Sequence, residues 1–101
     1  MTYGFVMDVP APIELYDALH AEIGRRSEGR DDGLLLHLGR ATDDGFQVLE
    51  IWESKEHCDR YDAEVVAPAL AELADGQPAA QPAKQEFEPR GLVIPGAAVR
   101  V

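Results

Sequence analysis

The sequence predicts an α+β domain whose elements run strand-helix-strand-strand-helix-strand, a four-stranded antiparallel sheet with both helices on one face. Three observations carry that prediction. Short apolar, strand-like runs occupy 3–9, 34–41 and 46–53. A helical period takes over at 13–26 and again from 55 onward. An Asp-Gly pair between two apolar runs marks a hairpin.

Tyr3, Phe5, Met7 and Val9 alternate with Val6 and Asp8, the pattern of a strand with two distinct faces. Pro10 and Pro12 stop it, and Pro12 suits the first turn of a helix, where a missing N–H costs nothing. In the helix over 13–26, Ile13, Tyr16, His20 and Ile23 share a stripe with Leu15 and Leu19 beside it. Its acids come early and Arg25 and Arg26 late, which complements the helix dipole. A polar loop with two glycines spans 27–33.

The strand over 34–41 is nearly continuous in leucine and is expected to be covered on both faces. Thr42-Asp43-Asp44-Gly45 turns the chain into the returning strand at 46–53. Ser54 is a suitable N-cap for a helix beginning at Lys55, whose stripe reads Cys58, Tyr61 and Val65. Pro68 falls inside the helical pattern and is expected to kink or split it near Val66, with Ala69, Leu70 and Leu73 continuing in a second piece to Ala74. A connection without periodicity at 75–82 leads to a fourth strand over 84–94, which Pro89 and Gly91 confine to an edge or a bulge. The tail at 96–101 is long enough to add a strand to a neighbour.

The whole of 1–101 reads as one domain with a core of about 3–94. Nineteen acids against nine bases leave a net charge of −10. That balance excludes a basic footprint for nucleic acid and disfavours an anionic membrane surface. The acids are spread along the chain, the pattern of a solvated surface. A single cysteine, Cys58, allows no internal disulfide and no thiolate zinc site, and reads as a buried small hydrophobe. The three histidines form no recognisable metal motif, His57 is expected to face water, and phosphate-binding glycine loops and Gly-x-Ser-x-Gly are absent. With no signal-peptide pattern and no membrane-length apolar run, the expected location is cytoplasmic.

The hairpin fixes which residues share a face. A two-residue turn at Asp43-Asp44 or at Asp44-Gly45 gives the same parity. Leu36 and Leu38 then lie with Leu49 and Ile51, an aliphatic face. Leu35, His37 and Gly39 lie with Val48, Glu50 and Trp52. A carboxylate beside an imidazole holds its tautomer and prepares a general base, and an indole offers a flat wall and one N–H donor. The competing reading makes His37 and Glu50 a paired polar patch at a buried dimer interface, with Trp52 filling the core. Tyr16 and His20 from the first helix and Tyr61 from the second are placed to close the same pocket or another one.

The stretch from Leu36 to Ser54, ending in Glu50-x-Trp52-Glu53-Ser54 before an amphipathic helix, resembles the central hairpin of the dimeric α+β barrel superfamily, nearest to antibiotic-biosynthesis-monooxygenase-like proteins. The resemblance implies a ferredoxin-like fold and a homodimer. It also implies cofactor-free oxygenation or a related isomerisation of a hydrophobic, aromatic small molecule. His37 would be base, Glu50 its orienter, Trp52 a wall and Tyr61 a hydrogen-bond donor, with Tyr16 and His20 further substrate contacts and no metal or cofactor. Dimerisation is expected through the open sheet face, because 34–38 has more apolar residues than one covered face requires. The haem-degrading relatives match less well, since the first strand lacks an asparagine and 65–71 lacks a histidine. A non-catalytic dimeric module that binds a small molecule or a protein stays open as the alternative.

Overall fold

The computed structural model describes residues 2–27, 32–74 and 82–93. Most of the 27–33 loop, nearly all of the 75–82 connection and the 96–101 tail lie outside the described residues.

Strands β1 (Tyr3–Val9), β2 (Leu34–Ala41), β3 (Phe46–Trp52) and β4 (Ala83–Phe87) form one antiparallel sheet in the order β2-β3-β1-β4. Helix α1 (Ile13–Arg26) joins β1 to β2. A longer helical stretch leads away from β3, made of α2 (Lys55–Tyr61), a π-helical turn (Asp62–Val66) and α3 (Ala67–Ala74). This is the predicted α+β arrangement, with every described helix on one face of the sheet.

Cross-strand register places the core. Tyr3 pairs with Trp52, Phe5 with Glu50, Met7 with Val48 and Val9 with Phe46. Side chains alternate faces along a strand, so this one register turns Tyr3, Phe5, Phe46, Val48 and Trp52 toward the helices. There they pack with Cys58, Tyr61 and Val65 in a single buried cluster. Each Phe or Val buried in this way contributes about 1.5–3 kcal/mol. No residue of α1 is fully buried. Its last turn is instead tied to α3 by Arg26, which donates to Glu72 and to Glu22.

The helical stretch splits where Pro68 predicts. The amide of Ala67 bonds to the carbonyl of Asp62, five residues back, and the next amide in that series belongs to Pro68, which has none. The wider turn lets Val65 and Ala69, 1% and 0% exposed, both face the core. Ser54 caps α2 as expected, accepting from the His57 amide at 3.2 Å.

Four details differ from the sequence-based expectation. A bulge between Leu34 and Leu36 shifts the register so that Leu34, not Leu35, sits opposite Trp52, and Leu35 is left exposed. Strand β2 is covered on one face only within the chain, and Leu38 is 54% exposed. Strand β4 is shorter than predicted and ends at Phe87, because Pro89 cannot donate to a ladder. Of the two turn positions expected, the hairpin uses Asp43-Asp44, with the Thr42 amide bonded to the Gly45 carbonyl at 2.9 Å. His57 is only partly exposed: its Nδ1 pairs with Ser54 Oγ at 2.6 Å, and its ring lies against Gly33, which has a φ of +90°.

The sheet face away from the helices shows three rungs. Arg40, Gln47 and Asp8 form a polar row, with Arg40 Nε donating to Gln47 at 2.9 Å and Gln47 Nε2 to Asp8 at 3.1 Å. Leu38, Leu49, Val6 and Gln85 form the next row, then Leu36, Ile51, Gly4 and Phe87. The face is therefore apolar over most of its area and polar at the hairpin end and at Gln85 on the β4 edge. Among the described helices none is long and apolar enough to cross a membrane.

Candidate functional site

His37 on the edge strand β2 lies directly opposite Glu50 on β3, and Glu50 opposite Phe5 on β1. Their side chains point to the helix-covered face, the same face as Trp52. The predicted grouping of His37, Glu50 and Trp52 is thus realised on the side where α1 and α2 can add to it.

They add a connected series of hydrogen bonds. The Trp52 Nε1–H donates to Glu50 Oε1 at 2.9 Å. Glu50 Oε2 pairs with His37 Nδ1 at 2.7 Å, and His37 Nε2 pairs with the Tyr16 hydroxyl at 2.8 Å. The chemistry of the partners orders the protons. Indole only donates and an ionised carboxylate only accepts, so Nδ1 carries the imidazole proton toward Glu50. In the neutral ring Nε2 is then an acceptor, and the Tyr16 O–H donates to it. Burial, the nearby charge of Glu50 and then that of Asp17 raise the Tyr16 phenol above its ordinary value, so it holds its proton at neutral pH.

Burial changes along the series. Trp52 is 0% exposed, the Glu50 side chain 12% and the His37 side chain 27%. The series runs from the core outward, with the Tyr16–His37 pair at its solvent-reached end. The Tyr16 and His37 rings are parallel within 8° with centroids 6.1 Å apart, an offset arrangement that the hydroxyl–Nε2 bond spans. His20 stacks against both, with centroids 5.4 Å from Tyr16 and 5.4 Å from His37. The first-helix pair thus meets His37.

Tyr61 goes elsewhere, its ring 5.1 Å from the Trp52 indole and 8% exposed. Trp52 itself presents no surface, so its link to the site in this conformation is the N–H it gives Glu50. Cys58 is buried as expected, its thiol pushed up to about 12 by burial first and then by Asp62 and Glu50, which leaves it a weak nucleophile. Two solvent-open clefts of about 400 and 310 Å³ lie at the other end of the hairpin, lined by 8–13 and 41–45, and include none of these residues. Among the described residues no group of three potential ligands is placed to hold a metal ion.

Gly39 is a site residue that the face parity places without giving it a role. A Cβ there would fall well inside contact distance of the Tyr16 ring and hydroxyl. The missing side chain is the notch that seats the phenol beside His37. A lone glycine inside a leucine-rich strand is the signal for such a close approach.

No family model matches the chain, and no curated protein matches it in sequence. Its fold is nevertheless that of known structures. A candidate antibiotic biosynthesis monooxygenase from Chloroflexus aurantiacus superposes with a TM-score of 0.67 at 23% identity, over 92% of this chain and 97% of the other. A protein of unknown function from Nitrosomonas europaea gives 0.69 at 16% identity, over 95% of each. SnoaB, a cofactor-independent oxygenase from Streptomyces nogalater, gives 0.61 at 14% identity, over 91% and 94%. The chain therefore has the ferredoxin-like fold of these antibiotic-biosynthesis-monooxygenase-like structures. Likeness at these identities establishes the fold alone.

Proposed function

We propose that this chain is a homodimeric, cofactor-independent enzyme of monooxygenase or isomerase type, acting on a hydrophobic aromatic small molecule with His37 as its proton acceptor. The observation that carries the reading is the hydrogen-bonded series from Trp52 through Glu50 and His37 to Tyr16. Glu50 holds the tautomer in which Nε2 is basic and stabilises the imidazolium once a proton arrives. Trp52 fixes the second carboxylate oxygen, so the carboxylate keeps its orientation during the transfer. Tyr16 and His20 supply flat aromatic surface at the solvent-reached end, and Tyr61 backs Trp52 from the core. The neighbours of monooxygenase type support the reaction class, and SnoaB supports the absence of a cofactor.

Proton removal from an acidic C–H or phenolic O–H leaves an electron-rich anion, the form in which an aromatic substrate reacts with dioxygen or shifts a double bond. A positioned base contributes about 10²–10⁴-fold to such a step. Oxygen uptake by the purified protein with a panel of hydroxylated polycyclic aromatics tests the proposal. Turnover is expected with at least one of them, and His37→Ala should lower it about 100-fold or more. A panel with neither oxygen uptake nor isomerised product would refute the catalytic reading.

A second reading, a small-molecule-binding module without catalysis, is favoured by one specific observation. Both ring nitrogens of His37 already have partners within the chain. Under this reading the same aromatic panel raises the thermal midpoint through binding to the native state, with no turnover.

A further inference from the structure

We propose that Tyr16 is the group that meets the substrate, and that it passes the substrate's proton inward to His37 rather than leaving His37 to take it directly. The inference rests on the reading of His37 as proton acceptor and specifies how the proton reaches it. Nδ1 donates its N–H to Glu50, so the only acceptor lone pair of neutral His37 is on Nε2, and the Tyr16 hydroxyl occupies it at 2.8 Å. The Tyr16–His37 pair is the solvent-reached end of the series, and because the half-buried phenol caps Nε2, a substrate proton reaches that nitrogen through the hydroxyl unless the hydroxyl is displaced. The Gly39 notch and the His20 ring hold the phenol in that position.

The transfer balances within four groups. The substrate X–H bond breaks as a new O–H bond forms on Tyr16, and the electron pair stays on the substrate. At the same time the original Tyr16 O–H bond breaks and an N–H bond forms at His37 Nε2. Tyr16 ends as a neutral phenol and His37 as an imidazolium. Both of its N–H groups keep an acceptor, Tyr16 oxygen on one side and Glu50 on the other, so no hydrogen bond is lost on charging. The phenol's raised pKa fits this role, since it remains a proton carrier and does not become a phenolate base. The ionisable groups facing the pair are His20 and Asp17 from α1 and Glu50 from β3.

Tyr16→Phe keeps the ring and removes the relay. Two measurements on the full chain are combined. The first is the ¹⁵N spectrum of neutral His37, which needs no substrate. The wild type should show the Nδ1–H tautomer with a hydrogen-bonded Nε2, and Tyr16→Phe should move Nε2 to the free-acceptor position while leaving Nδ1 in place. An unmoved Nε2 overturns the proposal regardless of activity. The second is turnover of the aromatic panel, with kcat of Tyr16→Phe expected to fall about 100-fold while KM changes little. Full activity of Tyr16→Phe beside an inactive His37→Ala overturns the relay and leaves His37 a direct base. If His37→Ala is also fully active, or the wild type turns over nothing, the underlying site reading falls and the relay with it.

Discussion

At Gly39 a single hydrogen decides whether the candidate site assembles. The residue lies opposite Val48 on the helix-covered face, and the Tyr16 phenol occupies the space a side chain would take. Gly39→Ala is therefore expected to push Tyr16 off His37 and to cost about 1–3 kcal/mol, the usual penalty for crowding a packed position. Urea unfolding reads the cost, and the His37 Nε2 resonance reads the lost bond. A variant as stable as the wild type with an unchanged resonance would show that Tyr16 is seated by something else. Cys58 gives a second residue-scale test, through pH. Burial lifts its thiol from an ordinary 9.0 to about 12, so the folded chain keeps a proton that the unfolded chain has released. Where the unfolded state binds fewer protons, stability falls as pH rises, here between about 9.0 and about 12. Tyr3, raised by burial and by the bond it gives Glu86, adds a loss of the same sign. Cys58→Ala should be less stable at neutral pH yet lose less across that window. Parallel curves for the two proteins would mean the thiol is not desolvated.

At the scale of elements, the hairpin shows both what a sequence makes legible and what it hides. The Asp-Gly pair predicts a tight turn and the turn is there, but not through the glycine's conformational freedom. Gly45 stands just after the two-residue loop, and of the described glycines only Gly33 has a positive φ. What Gly45 provides is room, since a Cβ would run into the Val9 carbonyl and the Ala11 backbone. Backbone cannot move aside as a side chain can, so Gly45→Ala is expected to cost more than Gly39→Ala, about 2–4 kcal/mol in urea unfolding. A near-neutral result would place the β1–α1 corner away from the hairpin. Period and parity made the elements legible because both are local: alternation put His37, Glu50 and Trp52 on one face, and Pro68 marked the split in the helical stretch. The bulge at Leu34/Leu36 was not legible, since a leucine run reads the same in either register. Nor was the His57 ring against Gly33, or the choice of Tyr16 rather than Tyr61 as the partner of His37. Those contacts depend on how helices seat on the sheet, which no periodicity in the chain encodes.

At the scale of the whole molecule, the sheet face opposite the helices sets the expected assembly. Its apolar rows run from Leu36 and Leu38 through Leu49, Ile51 and Val6 and reach β4 at Phe87 beside the polar Gln85, and the Arg40-Gln47-Asp8 row closes one end. A second copy laid on this face would bury the apolar rows and leave the polar row at the rim, the distribution of a stable interface. Charge works against it. Each chain carries −10, so two copies repel over the ionic screening distance, about 30 Å at 0.01 M salt but only about 10 Å at 0.1 M. The expected homodimer should therefore tighten as salt is raised, the reverse of an association held by ion pairs. Sedimentation at micromolar concentration should give twice 11.0 kDa at 0.1 M salt and more monomer at 0.01 M. Leu38→Glu sharpens the test, because Leu38 is 54% exposed in the single chain and a charge there costs the monomer little. Buried against a second copy, the same carboxylate would lack a partner and oppose association by several kcal/mol. A folded monomer of Leu38→Glu beside a dimeric wild type supports the open face as the interface. A dimer that survives the substitution places the contact elsewhere on the molecule, and a wild type that stays monomeric at 0.1 M salt removes the second copy altogether.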